Sequence, residues 1–218
     1  MSADADLHLI IANKNYSSWS FRPWLAMKAA GIAFRETVAP FDEPNHNRHF
    51  LEFSPSKKVP VLQHGDLTLW ESLAIMEYVA DLHPGSKLWP ADVVERGKAR
   101  AVSHEMHGGF AALRAECPMN MRRKIAAIPV SEAVRADVER IETIWAECLE
   151  ASGGPFLFGS FSNADAMYAP VVNRFEVYEL SSAAHVIAYS ETMKSLPAWK
   201  DWAAASEAEP WTVVEEEV

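Results

Sequence analysis

The sequence contains few cysteines and no arrangement of residues typical of a metal site. Cys117 and Cys148 are its only cysteines among 218 residues. They lie too far apart for a CxxC redox motif or for the ligand spacing of a zinc site. His104 and His107 do not have the spacing of the HExxH motif, and no third ligand stands out beside them. We therefore expect two free thiols without a functional role and no bound metal.

Positive charge and long apolar runs are also scarce. The chain has 20 Lys and Arg residues against 30 Asp and Glu residues, a formal net charge of −10. A chain this acidic is a poor general partner for nucleic acid or anionic membranes. No stretch approaches the roughly 20 apolar residues of a membrane helix. Asp4 and Asp6 stand where a signal peptide would carry positive charge. These features predict a cytoplasmic protein without nucleic-acid or membrane partners.

The first part of the chain has a mixed pattern of strands and helices. Hydrophobic residues make up 49% and charged residues 23% of the chain, which is typical of a globular protein. Apolar runs predict strands at 7–12, 34–38, 59–63 and 67–70. Helical spacing predicts helices at 19–30, 45–53 and 71–82. The predicted order is therefore β-α-β-α-β-β-α.

The remainder of the chain shows no convincing strand pattern. The segment 83–86 and Pro90 break the third predicted helix. Beyond them, helices are predicted at 92–116, 131–151, 163–178 and 198–205. Ser162 and Asp165 have the spacing of a capping box. We predict an α/β domain over 1–83, a linker over 84–91 and an all-helical domain over 92–218.

A stretch around Pro60 combines three features that suit a peptide ligand. Val59 precedes a proline, so its backbone should be extended, and a peptide could pair with it as an added strand. Glu71 and Ser72 open a helix whose free N–H groups and positive dipole end suit a carboxylate. Lys58 adds a nearby cation. A small, extended, zwitterionic peptide would fit such a site.

The Val59-Pro60 and Glu71-Ser72 pairs, with a β-hairpin between them, resemble the glutathione-binding half of the glutathione transferase family. The resemblance implies a cis peptide bond before Pro60. It also implies a thioredoxin-like N-terminal domain, an all-helical C-terminal domain and a cytoplasmic homodimer that acts in detoxification. Glutathione would be its substrate or cofactor, and no metal would be needed. In the family, a box like that of Ser162 and Asp165 caps a buried sixth helix.

The resemblance also places a catalytic group in the loop before the first predicted helix. The segment that starts at Ser17 is similar to the bacterial, serine-type, zeta-like pattern of two serines followed by a cysteine, which is also found in maleylacetoacetate isomerases. Ser17 is the first serine of the pair, and Trp19 replaces the cysteine. The resemblance implies that Ser17 activates the thiol of glutathione, with Ser18 and Tyr16 as open alternatives.

The chemistry of a thiol explains why a hydroxyl is needed there. A thiol with a pKa near 8.5 is only a few per cent ionised at pH 7. Lowering that pKa by ~2 units corresponds to about 2.7 kcal/mol of preference for the thiolate. One charge-assisted hydrogen bond is worth ~1.5–3 kcal/mol and could supply most of it.

The resemblance assigns a role to each remaining residue of the motif. Val59, beside Pro60, would pair with the cysteinyl backbone of glutathione. Glu71 and Ser72 would hold the γ-glutamyl end, and Lys58 would meet the glycine carboxylate.

A pocket for the second substrate is predicted from a later helix. The spacing of His107, Phe110 and Arg114 places them on one face of the helix predicted at 92–116. Arg114 could hold a carboxylate of the substrate. The alternative for each of the three is a packing face in the core or between the domains.

The resemblance implies a glutathione S-transferase that attacks a small electrophile, and this is the predicted function. One alternative is a glutathione-dependent cis-trans isomerase of the maleylacetoacetate type. The other is a non-catalytic member of the family that binds a ligand or regulates a partner. The sequence does not identify the electrophile.

Overall fold

The computed structural model describes residues 7–42, 44 and 46–218, so Asp4, Asp6 and the predicted helix start at Asn45 lie outside the described residues. The strands in this part of the chain are β1 (Leu7–Ile11), β2 (Arg35–Val38), β3 (Val61–His64) and β4 (Leu67–Trp70). The helices are α1 (Ser18–Ala29), α2 (Ser72–Leu82), α3 (Val93–Gly108), α4 (Ala111–Glu116), α5 (Glu132–Ser152), α6 (Asn163–Val177), α7 (Ala184–Ser195) and α8 (Pro197–Glu207).

The four strands form one mixed sheet in the order β2-β1-β3-β4. β1 is parallel to β2 and antiparallel to β3, with Leu9 opposite Glu36 on one side and Leu62 on the other. β3 and β4 form an antiparallel hairpin. Every residue of β1 is buried, including His8, as expected for a central strand of largely apolar sequence. The thioredoxin-like arrangement expected for the first half is confirmed.

The second predicted helix is shorter and tighter than expected. In place of an α-helix over 45–53, the chain forms a 3-10 helix at Arg48–Glu52. Asn47, which precedes it, has a left-handed backbone with φ of 52°. Phe50 is the one buried residue of this turn and packs beside Val59 and Val61. One buried side chain gives a long amphipathic helix little to pack with.

The prediction of a single helix over 92–116 is wrong, because α3 ends at Gly108 and α4 begins at Ala111. A Cβ atom on Gly109 would lie 2.6 Å from the carbonyl oxygen of Glu105, so only glycine fits this break. Phe110 then turns the chain with φ of 54°. His107, Phe110 and Arg114 therefore do not share one face of a continuous helix. A further helix, α7, was not predicted from the sequence.

α6 lies at the centre of the helical half and is buried along almost its whole length. Its capping box is present, because Asp165 accepts hydrogen bonds from the backbone N–H and the hydroxyl of Ser162. Asp165 also accepts from the N–H of Leu157 and the hydroxyl of Tyr189. A cap of this kind contributes roughly 0.5–2 kcal/mol. It fixes the start of the helix on which α1 packs.

The two halves of the chain share one hydrophobic core. The ring of Phe21 in α1 stacks on Trp202 of α8 at 4.7 Å, and Trp24 meets the same ring edge-on at 5.0 Å. Arg22 of α1 donates from Nε to the carbonyl oxygen of Met167 in α6 at 3.0 Å. The helix that carries the candidate serines is therefore held from both sides. The division into domains at the segment 84–91 stays a prediction.

Candidate active site

Ser17 is the N-cap residue of α1, and its hydroxyl is held in place. It accepts a hydrogen bond from the N–H of Ser20 at 3.4 Å and donates to Oγ of Ser20 at 2.7 Å. Oγ of Ser20 also accepts from the N–H of Ala12 at the end of β1. The side chain of Ser17 is thus oriented by the strand and the helix that meet at this junction.

The two alternative hydroxyl groups are near by but differ in their partners. Ser18 makes no side-chain hydrogen bond within the described part of the chain. The hydroxyl of Tyr16 donates to Glu217 at 2.5 Å and accepts from Arg122 at 3.1 Å. Tyr16, Ser17 and Ser18 all line one cavity. The hydroxyl hydrogen of Tyr16 is therefore engaged by a carboxylate, whereas Ser17 and Ser18 both remain candidates.

Two adjoining cavities form a cleft beside these residues. The first, which we call the serine cavity, has a volume of about 360 Å³ and is lined by Ser17, Ser18, Arg174 and Glu216 among others. The second, the α2 cavity, has a volume of about 350 Å³ and includes residues from the start of α2. Both cavities share the walls formed by Trp19, Lys58, Val59 and Arg114.

The wall shared by the two cavities carries an unpaired stretch of backbone. The peptide bond between Val59 and Pro60 is cis, which confirms the expectation from the sequence. Neither the N–H nor the C=O of Val59 makes a hydrogen bond to another described residue. Ser54 holds the preceding residue by donating to the carbonyl oxygen of Lys58 at 2.6 Å. This backbone is therefore fixed in position and available for a ligand.

The start of α2 has the features of a binding site for a charged ligand. Oγ of Ser72 is buried and meets no hydrogen-bond partner among the described residues. Glu71 has a φ of 70°, a conformation that is costly for a residue other than glycine and that clusters at functional sites. Its carboxylate lies 3.6 Å from Nε2 of His107. Ser72, Glu71 and His107 all line the α2 cavity.

Two arginines, Arg114 and Arg174, line the cleft, and the buried Arg22 lies beside Trp19 in its wall. The guanidinium group of Arg22 lies 4.1 Å from the ring centre of Trp19, and that of Arg114 lies 5.3 Å from it. Arg174 donates from Nε to the carbonyl oxygen of Cys117, while its Nη1 is buried without a hydrogen-bond partner in the described residues. Burial lowers the pKa of Arg174 to about 10 and that of Arg22 well below its usual value. Arg174 is therefore charged at neutral pH, and both groups are poorly solvated.

Sequence reasoning missed Arg22 and Arg174. A usable signal existed for Arg174, because it is a single positive charge within the otherwise apolar and neutral segment 166–175 of α6. A charged residue at a buried helix position needs a partner or a function. Arg22 gave a weaker signal, because polar serines alternate with the apolar residues at the start of α1.

The three residues predicted for the second-substrate pocket have different positions. His107 lines the α2 cavity, and its ring meets Trp19 edge-on at 5.2 Å. Burial lowers the pKa of His107, which favours its neutral form. Arg114 lines both cavities. Phe110 is 7% exposed and packs in the hydrophobic core. It does not line either of the two cavities.

Within residues 7–42, 44 and 46–218, no group of three or more His, Cys, Asp or Glu side chains could hold a metal ion. The same described residues contain no helix that is long and apolar enough to cross a membrane. Cys117 and Cys148 are free thiols, and burial raises the pKa of each to about 11. Neither is a reactive thiolate at neutral pH.

The fold defines a class of proteins that have a thioredoxin-like part and a second, all-helical part. The helical half packs on the mixed sheet, and the cleft lies between the two. Comparison with family models gives the family. Residues 16–82 match the model of the glutathione S-transferase N-terminal domain, and residues 128–205 match that of the C-terminal domain. Together the matches span about two thirds of the chain. The chain belongs to the glutathione S-transferase family, and the predicted assignment to this family of enzymes is confirmed.

The similar proteins carry different names. A probable maleylacetoacetate isomerase of Caenorhabditis elegans is 28% identical over 186 residues, which cover 84% of this chain and 86% of the relative. A stringent starvation protein A homologue of Haemophilus ducreyi is 28% identical over 148 residues, or 66% of each chain. A glutathione transferase homologue from Burkholderia, solved with bound glutathione, has a TM-score of 0.72 at 21% identity. It covers 94% of this chain and is itself covered completely.

Proposed function

We propose that the protein is a glutathione transferase in which a serine at the start of α1 activates the glutathione thiol for attack on a small electrophile. The observation that carries this proposal is the junction of the two cavities at Val59. One cavity contains the serines, and the other contains the start of α2. A tripeptide that spans both would have its central residue beside Val59 and its sulfur near Ser17. The Burkholderia homologue, which has bound glutathione, supports this ligand for the fold.

Each end of glutathione has a matching group in the cleft. The free N–H and C=O groups of Val59 would pair with the cysteinyl backbone, as in an added β-strand, with Pro60 beside them. The hydroxyl of Ser72 and the N-terminal amides of α2 would bind the γ-glutamyl carboxylate. The half-exposed carboxylate of Glu71 would bind the α-amino group of the same end. Lys58 would meet the glycine carboxylate.

The activation step needs a hydrogen bond from the serine to sulfur. In the structure Ser17 donates to Ser20, so its hydroxyl hydrogen would turn toward the sulfur when glutathione binds. The N–H of Ser20 would continue to orient the oxygen of Ser17. The thiol proton would leave to solvent, and the sulfur would form a C–S bond as the leaving group departs with its electron pair. The charges of Arg22 and Arg114 would favour the thiolate further.

The serine cavity favours an electrophile that carries a carboxylate. Arg114 and Arg174 both line it, and a buried guanidinium group that lacks a full set of partners is a strong site for a carboxylate. His107 would contact the part of the ligand that lies in the α2 cavity. Phe110 would contribute only by supporting Arg114. The carbonyl oxygen of Phe110 accepts a hydrogen bond from Nε of Arg114 at 3.4 Å.

A glutathione-dependent isomerase is the second candidate. The relative named as a probable maleylacetoacetate isomerase supports it, and so does the affinity of two arginines for an acidic substrate. In this reaction the thiolate would add to a cis double bond, the new single bond would rotate, and elimination would regenerate the thiolate and the trans product. Turnover of a chloronitrobenzene and of a cis-enediol acid, measured side by side, separates the two activities.

The proposal is tested by comparing Ser17→Ala with the matched variant Ser18→Ala. Loss of one hydrogen-bond donor to a developing anion costs about a hundredfold in rate or more. We expect that loss in kcat/KM for Ser17→Ala, together with a rise of about 2 units in the pKa of enzyme-bound glutathione. Ser18→Ala should retain most of the wild-type rate.

Three results would contradict the assignment in different ways. A large loss in Ser18→Ala alone would transfer the role to Ser18. Equal activity in both variants would remove the serine mechanism. Retention on immobilised glutathione without turnover of any electrophile would indicate the non-catalytic alternative.

A further inference from the structure

The last ten residues, 209–218, form a C-terminal tail that is tied to the loop carrying the candidate serines. The carboxylate of Glu209 accepts hydrogen bonds from the N–H groups of Lys14 and Asn15 at 2.7 and 3.0 Å. Arg122 donates to the carbonyl oxygens of Glu209 and Trp211. The tail is therefore built into the wall of the serine cavity and does not lie free on the surface.

The far end of the tail places one carboxylate inside that cavity. A 3-10 turn at Val214–Glu216 is followed by Glu217, which accepts a hydrogen bond from Tyr16. Glu216, partly buried, lines the serine cavity together with Arg114 and Arg174. Its negative charge is the strongest influence that opposes the lowering of the pKa of Arg174 by burial. Glu216 and Arg174 therefore act on each other electrostatically at the inner end of the cavity.

The charges of the residues at this end of the cavity do not cancel. Among the residues that line the cavity here, two arginines are opposed by one glutamate, which leaves one excess positive charge in the lining. The lysines that line the cavity, Lys57 and Lys58, lie on the side of Val59 and would face glutathione. An electrophile with one carboxylate would neutralise the excess charge. A second carboxylate would have to compete with Glu216 for the arginines.

We propose that Glu216 determines the specificity of the serine cavity for the charge of the electrophile, favouring compounds with one carboxylate and disfavouring those with two. This inference rests on the proposed function, since it concerns the second substrate of the same site. Glu216 acts as an internal anion that shares Arg174 with the ligand. The rival explanation is that Glu216 only anchors the tail, and that explanation predicts no dependence on the charge of the electrophile.

The test uses a matched series of chloronitrobenzenes with no, one and two ring carboxylates. Each compound undergoes the same reaction, in which the glutathione sulfur forms a C–S bond and chloride leaves. KM and kcat are measured for the wild-type protein, Glu216→Gln and Glu215→Gln. Glu215 is an exposed residue of the same tail, so its substitution removes the same charge outside the cavity.

We expect the wild-type protein to have its lowest KM for the monocarboxylate. Glu216→Gln should lower the KM for the dicarboxylate about tenfold relative to the neutral compound, because a repulsive charge in a poorly solvated site has been removed. Glu215→Gln should leave all ratios within about twofold, because exposed charges are screened. The proposal is overturned if Glu216→Gln leaves the ratios unchanged or if both variants change them equally.

Binding measurements separate failure of this inference from failure of the proposed function. Calorimetric titration with nitrobenzoate and nitrophthalate, which lack the leaving group, needs no turnover. If no electrophile reacts but Glu216→Gln still tightens binding of nitrophthalate, the charge selection stands and the transferase function fails. If turnover depends on Ser17 but binding of both anions is the same in all variants, only the role of Glu216 fails. Should Glu216→Gln not fold, a wild-type preference for the neutral compound over the monocarboxylate would overturn the proposal by itself.

Discussion

Trp19 occupies the position where the resembling pattern has a cysteine, and its surroundings show what this replacement does. Two guanidinium groups lie within 5.3 Å of its ring centre, and the ring of His107 meets it edge-on. A cation over the face of a tryptophan ring is attracted by about 0.5–2 kcal/mol. Trp19 therefore contacts both guanidinium groups and holds Arg114 where it lines the two cavities. A cysteine would leave both arginines without this contact.

The hydroxyl of Ser72 provides a prediction at the scale of one residue. Because its Oγ has no partner in the described protein, we expect Ser72→Ala to leave the free energy of unfolding unchanged or to raise it slightly. If this hydroxyl binds the γ-glutamyl carboxylate, the same change should raise the KM for glutathione about tenfold. Urea unfolding and steady-state kinetics measure the two effects.

Ser103→Ala is a suitable control for this prediction. Ser103 is also buried in a helix, but its hydroxyl donates to the carbonyl oxygen of Ala99 at 2.7 Å. Its loss should reduce stability by about 1 kcal/mol and leave the KM for glutathione unchanged. A Ser72→Ala protein that is clearly less stable and binds glutathione normally would show that Ser72 has only a structural role.

At the scale of elements, the start of α6 is capped by the carboxyl group of Asp165, which is buried and therefore poorly solvated. Burial raises the pKa of Asp165 to about 6, against four hydrogen bonds that lower it. The unfolded chain loses this proton near pH 3.8, whereas the folded protein holds it to about pH 6. Between these values the folded state binds more protons, so this residue makes stability fall as pH rises.

We expect that fall to amount to at most about 3 kcal/mol between pH 4 and pH 6. Asp92 and Glu116 have lowered pKa values, and they make stability rise with pH. The contribution of Asp165 is therefore measured by comparing the wild type with a variant that lacks this carboxyl group. The difference in unfolding free energy between wild type and Asp165→Asn, measured in urea across this range, should therefore shrink as pH rises. Direct titration of the Asp165 carboxyl by NMR provides a check that needs no variant. A carboxyl pKa below 4 would contradict the prediction.

At the scale of the whole molecule, the structure indicates one cooperative unit. Phe21 and Trp24 of the first half are buried against α8, and the fully buried Arg22 has its partner in α6. Separating the halves would expose these side chains and leave a guanidinium group without its carbonyl partner. The predicted homodimer and the cytoplasmic location stay predictions.

We therefore expect residues 1–83, produced alone, to lack a stable fold, while the full chain unfolds in a single transition. Circular dichroism, hydrogen exchange and calorimetry measure this. Phe21→Ala in the full chain should cost about 3–5 kcal/mol and lower the stability of both halves together. Phe41→Ala, at a partly buried ring of the smaller cluster around Phe50, is the control and should cost less. Two separate transitions, or a folded fragment, would show independent domains.

The sequence by itself determined the four strands and the first and last helices of the first half, but not its 3-10 turn at Arg48–Glu52, and it determined the position of the ligand motif. The apolar run of β1, the hairpin around Gly65 and the pairs at Val59-Pro60 and Glu71-Ser72 are local patterns, because their backbone conformations follow from neighbouring residues. For the same reason the capping box at Ser162 was visible. The resemblance of these residues to a known family then indicated where the serine should lie.

Only the tertiary structure decided which charged groups reach the cleft. Arg174 belongs to α6, and Glu216 belongs to the tail. Both line the same cavity as Ser17, although they are far from Ser17 in sequence. The break at Gly109 separates His107 from Phe110, because a side chain there would collide with the backbone of Glu105. Such encounters depend on how helices pack across the whole chain. The periodicity of one segment reports only which of its own faces is apolar.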